Sequence, residues 1–396
     1  MTGLRHAIHL ARRHAVHHAG RSLLIVLALA LVAFLPIAVD GVVDAGGRAL
    51  RARAGSTPLV AGAPGAPIDL VLSALYFRKP PDRSTTMGEL DALAGSDLGR
   101  TLPIVLGDRV KGAPLVGVNP EYLRFRDLAC SDGRPFAVAG ECVVGHEVAR
   151  REGVSVDDRI TTEPREMFDL AGAYPLRMRV VGILEPTGTA DDRAVFASLA
   201  TSWIVQGLAH GHDDLLEETN PNLVMGRTED DVVIGSAAVK EFVEITDENR
   251  ASFHFHGPLE DRPVTAAIIV PSDDRAETIL LGRADAGLLD VQLVRATEVV
   301  DRLLVEVFRI RRILMAVLGV VAIATLLLVL VVLALSIRIR AAEIETMRMI
   351  GAGRLRISTI LGAEVAMLVG VALAMAVVGG WIVTLSIPAV ERLLLG

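Results

Sequence analysis

Residues 313–354 read ILMAVLGVVAIATLLLVLVVLALSIRIRAAEIETMRMIGAGR, an uninterrupted apolar run followed by a short charged stretch. The apolar part, Ile313–Ile337, is long enough for a helix that crosses a membrane, which takes roughly 17 to 25 residues. Two similar runs, Leu23–Val39 and Leu361–Ile387, lie near the two ends of the chain. The sequence therefore predicts transmembrane helices at 22–44, 309–338 and 357–388.

The composition indicates a soluble part beside these helices. Hydrophobic residues make up 52% of the chain and charged residues 22%, a mixture typical of a membrane part plus a soluble part. We predict an α-helical membrane bundle of three transmembrane helices plus a mixed α/β domain with a stalk at 45–308. The net charge of -7 and the 4% of aromatic residues argue against nucleic acid as a partner, because no basic surface dominates.

Residues 1–21 carry five histidines and several arginines interleaved with apolar residues. This pattern predicts an amphipathic helix at the cytoplasmic membrane surface, in contact with lipid headgroups. Basic residues before an apolar run are also typical of a secretory signal peptide. Here the basic region is long and no small-x-small cleavage site follows the apolar run, so an uncleaved anchor is favoured.

The segment between the first two apolar runs alternates strand-like and helix-like patterns, as in a mixed α/β domain. Residues 46–66 are rich in Gly, Ala and Pro and predict an irregular linker. Residues 296–312 have helical spacing and predict a helix continuous with the second membrane run. The other predicted elements are strands at Leu176–Leu184 and Val264–Val270 and helices at Gly145–Glu152 and Asp274–Leu281.

Two sets of residues in this segment are candidates for cross-links or metal binding. Cys130 and Cys142 are the only cysteines, and an oxidising compartment permits a disulfide between them, with two free thiols as the alternative. Two His-x-His pairs offer imidazoles to zinc if each pair lies on a strand, because alternate residues share a face. Solvated loops are the alternative for these pairs, which are His210 with His212 and His254 with His256.

The charged stretch 339–356 connects the second and third apolar runs. Ile344, Met347 and Ile350 recur at three-residue steps, which predicts a short amphipathic helix. Glycines at the end of the stretch can end this helix, because glycine accepts the left-handed geometry of a helix terminus. A carboxylate, Glu364, follows about one turn inside the third run. Such a group either has a function or partner in the bundle or reaches out to the interface.

The stretch AEIETMRMIGAGRLRISTILGAEV, residues 342–365, resembles the signature of the FtsX-like permease domain, here 309–396. That domain occurs in ABC-transporter membrane subunits of the MacB, LolC/LolE and FtsX type. The stretches GECVVGHEVARREGVSVDDRI (140–160) and RVVGILEPTGTADDRAVF (179–196) are similar to the MacB-like periplasmic core domain of these permeases. The family places this domain between its first and second membrane helices. It also has a fourth membrane helix, before which this sequence ends at Gly396.

The resemblance implies a multi-pass permease subunit in the bacterial inner membrane that pairs with a second copy or a related permease. A separate ABC ATPase would bind ATP and magnesium, since the sequence has no Gly-x-x-x-x-Gly-Lys-Ser/Thr loop. The implied cargo is a lipoprotein, peptide or amphiphile, delivered with or without a periplasmic adaptor. One alternative is an FtsX-like signalling role without transport, and another is a membrane-anchored periplasmic binding domain with no ATPase. The residues implied to contact the ATPase are Arg340, Glu343, Ile344, Met347, Arg348, Ile350, Gly351 and Ala352.

Overall fold

A computed structural model describes residues 2–78, 80–95, 97–164, 175–210, 224–227, 233–235, 242–255, 257–287, 289–349 and 353–394. The chain divides into a helical unit, Met1–Leu50 with Arg302–Leu395, and an α/β unit, Arg51–Asp301. The α-helices are α1 Thr2–His17, α2 Ala19–Gly55, α3 Pro67–Tyr76, α4 Met87–Ala94, α5 Pro120–Phe125, α6 His146–Glu152, α7 Leu199–Val205, α8 Asp274–Asp285, α9 Ala296–Ile339, α10 Ala341–Met349 and α11 Arg354–Leu394.

The helical unit contains three helices that are long and apolar enough to cross a membrane. These spans are Ala19–Gly55, Ala296–Ile339 and Arg354–Ser386, which confirms the predicted membrane helices. Small side chains let α2 and α11 approach closely, as is common between membrane helices. A Cβ atom on Gly380 of α11 would lie 2.5 Å from the Ile37 side chain of α2. The buried cluster that joins α2, α9 and α11 comprises Ile25, Val26, Ala30, Val329, Leu368 and Ala372.

The α/β unit is built on an 11-stranded mixed sheet in the described part of the chain. The strands are β1 Leu59–Gly62, β2 Thr85–Thr86, β3 Gly99–Val110, β4 Ala113–Val118, β5 Cys130–Gly133, β6 Glu141–Val144, β7 Arg159–Thr161, β8 Leu176–Leu184, β9 Val195–Ser198, β10 Ala209–His210, β11 Val224–Arg227, β12 Val233–Gly235, β13 Val243–Glu244, β14 His254–Phe255, β15 Pro263–Val264, β16 Ala266–Pro271 and β17 Gln292–Arg295. The strand order in the 11-stranded sheet is β13-β8-β6-β9-β4-β3-β16-β1-β17, with β5 and β7 also paired to β8.

The predicted elements of this unit are largely confirmed. The alternating pattern Leu176–Leu184 forms β8, and the predicted helices correspond to α6 and α8. The predicted strand at 264–270 is instead divided at Thr265. Its hydroxyl oxygen accepts a hydrogen bond from the backbone N–H of Leu106 at 2.9 Å. β15 pairs with β2, whereas β16 pairs with β3, so the chain changes partner at this residue.

The prediction of an irregular linker at 46–66 was wrong over its first half. Helix α2 continues to Gly55, and hydroxyl groups beyond it support its last turn. Ser56 Oγ and Thr57 Oγ1 each donate a hydrogen bond of 2.9 Å to the carbonyl oxygen of Arg53. These bonds satisfy a carbonyl that has no partner at a helix end, which offsets the weak helix propensity of the glycines.

Candidate functional site

The connector between α9 and α11 contains the predicted amphipathic helix, α10. Ile344 and Met347 are half-buried, whereas Glu345 and Arg348 are exposed and form an ion pair at 3.6 Å. The helix therefore has an apolar side against the protein and a charged side towards solvent. Glu343 lies within α10. The residues of the predicted contact that fall outside the described part are Ile350, Gly351 and Ala352.

Glu364 of α11 lies at the centre of a buried polar cluster, which we call the Glu364 cluster. His14 Nδ1 and Arg21 Nη2 both lie 2.9 Å from Glu364 Oε1, and Arg340 Nη1 lies 3.0 Å from Oε2. Arg21 also donates a hydrogen bond to Ser336 Oγ. The Glu364 side chain is only 5% exposed. A carboxylate at such a site is stable because three donors replace its hydration shell.

Each of the three partners of Glu364 comes from a helix end. His14 is in the last turn of α1, Arg21 is in the first turn of α2, and Arg340 is the single residue between α9 and α10. Burial lowers the pKa of His14 below its ordinary 6.5, while Glu364 raises it and Arg340 lowers it by smaller amounts. The imidazole is therefore neutral at pH 7. It donates from Nδ1, because the carboxylate can only accept.

A second charged group closes the other end of the helical unit. Arg311 Nη1 of α9 lies 2.9 Å from Asp44 Oδ1 and 3.1 Å from Asp40 Oδ1 of α2. At about 1.5 Å per residue, Arg21 and Asp40 are roughly 28 Å apart along α2, and Arg311 is roughly 37 Å along α9 from Ser336, the partner of Arg21. This separation fits the hydrocarbon thickness of a bilayer, about 30 Å, with a helix tilt. The apolar runs lie between the two levels.

The α/β unit holds a third charged site at the end of α2, which we call the Arg53 joint. Arg53 is 9% exposed and Asp191 is 1% exposed. Arg53 Nη1 lies 2.5 Å from Asp191 Oδ2, and Nη2 lies 2.9 Å from Oδ1, so the pair is bidentate. Arg53 Nε also donates to the carbonyl oxygen of Leu75 at 3.2 Å. The last turn of α2 is therefore fixed to the interior of this unit.

The partners of this pair complete its hydrogen bonding. Tyr122 Oη lies 3.3 Å from Asp191 Oδ1, and Thr189 Oγ1 donates to Oδ2 at 2.8 Å. Burial raises the pKa of Tyr122 to about 12. Burial also acts to raise the pKa of Asp191, but the charge and hydrogen bonds of Arg53 outweigh it and hold that pKa below 3.8. Asp191 is therefore ionised at any physiological pH.

The two cysteines are free thiols, so the disulfide that the sequence permits does not form. Cys130 lies on β5 and Cys142 on β6, and these strands pair with opposite edges of β8. Ile183 of β8 pairs with Asp132 of β5 on one side and with Val144 of β6 on the other. Two strand spacings, about 9.5 Å, separate β5 from β6, and the cysteines are also offset along β8, because Cys130 pairs with Leu184 and Cys142 with Val180. The two thiols are therefore farther apart than a disulfide can span.

The two histidine pairs are brought together in part. His210 of β10 and His254 of β14 are directly opposite partners in an antiparallel pair of strands. His212 and His256 lie outside the described residues. Among the residues that are described, no group of three or more His, Cys, Asp or Glu side chains is arranged to hold a metal ion. The zinc site stays a prediction.

Sequence reasoning found Glu364 but missed His14 and Arg21 as its partners, and it missed the Arg53 joint. Arg340, predicted to contact an ATPase, forms an ion pair with Glu364, and its contact with the ATPase stays a prediction. The sequence does contain a pattern that indicates the cluster: basic residues stand next to the ends of two apolar runs, and a carboxylate lies inside the third. Asp191 carries no comparable signal, since it lies in an acidic turn of ordinary appearance, TADDR.

Comparison with known proteins identifies the α/β unit. A sequence model of the MacB-like periplasmic core domain matches residues 22–242, which is more than half of the chain. The chain is similar to the periplasmic region of MacB from Actinobacillus actinomycetemcomitans, at 10% identity and a TM-score of 0.36, covering 63% of this chain and 93% of that one. It is also similar to the extracellular domain of the noncanonic ABC-type transporter YknZ from Gram-positive bacteria, at 10% identity and a TM-score of 0.33, covering 60% and 99%. No curated protein matches the sequence.

The combination of three membrane-length helices with this domain between the first and second defines a permease of the ABC-transporter type. The chain belongs to the MacB-like periplasmic core domain family. It is an inner-membrane protein whose α/β unit is periplasmic. The connector α10 and the Glu364 cluster are therefore at the cytoplasmic end of the membrane helices, and the Arg311 level is at the periplasmic end.

Proposed function

We propose that this permease carries an ATP-driven movement from a separate ABC ATPase, through the connector, to its periplasmic domain. The movement exports or releases a lipoprotein, a peptide or an amphiphile. ATP and magnesium are bound by the ATPase, and the permease acts as a dimer with a second copy or a related permease. The role of this chain is to transmit a conformational change, so its functional residues are those that hold the membrane helices to the connector and to the periplasmic domain.

The Arg53 joint is the observation that carries the proposal. Helix α2 is one uninterrupted helix from Ala19 to Gly55, and its last turn is fixed by the bidentate pair with Asp191. A buried bidentate pair is rigid, because both partners lose their hydration and bind each other in one geometry. A movement that reaches the last turn of α2 would therefore act directly on the core of the domain.

The distribution of charge favours force transmission over a solute path. In the described parts of α2, α9 and α11, the charged residues of the membrane region lie at the two levels set by Glu364 and Arg311. Between these levels the helices are apolar. A polar solute would need hydrogen-bonding groups along its route. In an FtsX-like role the same movement would activate a periplasmic enzyme through the same Arg53 joint. The two roles differ in the partner that the periplasmic domain binds.

The connector is the surface proposed to receive the ATPase. One side of α10 is charged and exposed, with the ion pair of Glu345 and Arg348. The other side packs against the protein through the half-buried residues Ile344 and Met347. A soluble partner would recognise the charged side by complementary charge, which sets specificity and association rate.

The test is co-purification of the ATPase with the full chain and measurement of its ATP hydrolysis. We expect Arg348→Glu to lower the amount of bound ATPase at least tenfold. Arg309→Glu is the matched control, because Arg309 is also exposed and paired to a glutamate three residues earlier, Glu306, but lies at the periplasmic end of α9. Equal loss with both variants, or an ATPase that binds equally well to Arg348→Glu, would contradict the proposal.

A periplasmic pull-down on the same preparation separates transport from signalling. Recovery of a lipoprotein, peptide or amphiphile in an ATP-dependent manner supports export or release. Recovery of a hydrolytic enzyme whose activity rises with ATP supports the signalling alternative.

A further inference from the structure

The Glu364 cluster joins α11 to three other helix ends. Its carboxylate binds α1 through His14, the start of α2 through Arg21 and the start of the connector through Arg340. All four groups belong to the helical unit. One side chain of α11 therefore binds residues at the cytoplasmic ends of the other helices.

Arg340 has a special position among these partners. Helix α9 ends at Ile339 and α10 begins at Ala341, so Arg340 is the single residue between the membrane helix and the connector. Its side chain is fixed to Glu364 Oε2 at 3.0 Å. The bond determines where the connector starts relative to α11.

Helix α1 is docked at the same point. It packs along α11, and Ala11, one turn before His14, is 1% exposed. A cavity of about 770 Å³ lies between α1, Arg340 and the connector, lined by residues that include Arg13, His17 and Met347. α1 and the connector thus face each other across this cavity, and both are fastened to the same carboxylate.

We infer that Glu364 is a positioning residue that fastens the N-terminal helix to the start of the connector, so that α1 moves together with α10. The inference rests on the proposed function only for the origin of that movement. Its physical basis is charge: Arg21 and Arg340 both bind the Glu364 carboxylate, and its removal leaves the two guanidinium groups close together without this shared negative charge. A buried charge that loses its partner is strongly destabilised, so α1 and the connector would separate.

Labelling of a cysteine at position 11 measures this docking in the full chain in lipid nanodiscs. The experiment uses Ala11→Cys with Cys130→Ser, a maleimide reagent and site-resolved mass spectrometry. We expect Glu364→Gln to raise the labelling rate at position 11 at least tenfold. Glu306→Gln, which removes an exposed carboxylate of α9 that is also paired to an arginine, Arg309, is the matched control and leaves the rate unchanged. An equal rate in Glu364→Gln and the parent chain would overturn the inference.

Two further variants separate positioning from simple loss of structure. Glu364→Asp keeps the charge and should restore at least half of the protection. His14→Ala leaves the two arginine bonds in place and should raise the rate less than Glu364→Gln does. If Glu364→Gln does not fold, this ordered pair of variants still tests the inference, and a wild-type rate in His14→Ala with a high rate in Glu364→Asp contradicts it.

A nucleotide arm separates this inference from the proposed function. With the ATPase bound, a non-hydrolysable ATP analogue should change the labelling rate at position 11 in the parent chain. In Glu364→Gln the ATPase should still co-purify, but the analogue should no longer affect α1. If the analogue has no effect on the parent chain while Glu364→Gln still releases α1, the proposed function fails and the fastening role of Glu364 stands.

Discussion

Replacement of Asp191 by asparagine removes the charge of the Arg53 joint and leaves its shape almost unchanged. Arg53 then keeps a positive charge at a site where its side chain is 9% exposed, with only neutral oxygens as partners. Removal of one partner of a buried ion pair costs about 3–5 kcal/mol. The asparagine oxygen can still accept one hydrogen bond, so we expect a value near the lower end, about 3 kcal/mol. For a unit of this size that corresponds to a decrease in Tm of roughly 6–12 °C.

The assay is urea unfolding of the full chain in nanodiscs, followed by fluorescence. Trp203 is buried in the α/β unit, so a Trp381→Phe background makes the signal specific to that unit. Asp301→Asn is the control. Its ion pair with Arg51 has a similar length, 3.1 Å, but is 51% and 59% exposed, and exposed pairs contribute at most about 1 kcal/mol.

A compensating double variant tests the cause of the effect. Arg53→Met with Asp191→Leu removes both charges together, and buried ion pairs can be replaced by apolar residues of similar volume at little cost. We expect it to recover most of the lost stability. A loss in Asp191→Asn no greater than in Asp301→Asn would refute the view that the end of α2 is fixed by a buried charge pair.

Three other predictions concern pH and packing. The pKa of Asp191 is held below 3.8 in the folded chain, so the charge of Asp191 contributes fully to the free energy of unfolding above pH 3.8. That contribution is lost as the pH falls through the pKa of the folded state, so the difference in unfolding free energy between Asp191→Asn and the parent chain should shrink in urea titrations below pH 3.8. Because the pKa of His14 is below 6.5 when α1 is docked, the undocked form binds more protons, and maleimide labelling of α1 should become faster as the pH falls below 6.5. Gly380→Leu should lower the resistance of the helical unit to dodecyl sulfate by about 1–3 kcal/mol through its clash with Ile37, whereas Gly370→Leu, where a Cβ meets nothing within 4 Å, should have little effect.

The features that the sequence predicted correctly are those encoded within a short window of residues. The three apolar runs determine the membrane helices, because the hydrocarbon core selects length and apolarity and nothing else. The steps of three between Ile344 and Met347 predicted the seated side of α10, and the alternation in Leu176–Leu184 predicted β8. Both are periods that one element expresses by itself.

The tertiary structure decided every feature that depends on which distant residue becomes a partner. Thr265 interrupts a run of strand-forming residues because Leu106, far away in the sequence, donates to its hydroxyl. Cys130 and Cys142 are close in sequence but lie across β8 from each other. The same holds for the two buried carboxylates, Glu364 and Asp191. The sequence shows which carboxylates stand among apolar residues. It does not show which arginines, distant in the sequence, pack against them in the fold and offset the free-energy cost of burying their charge.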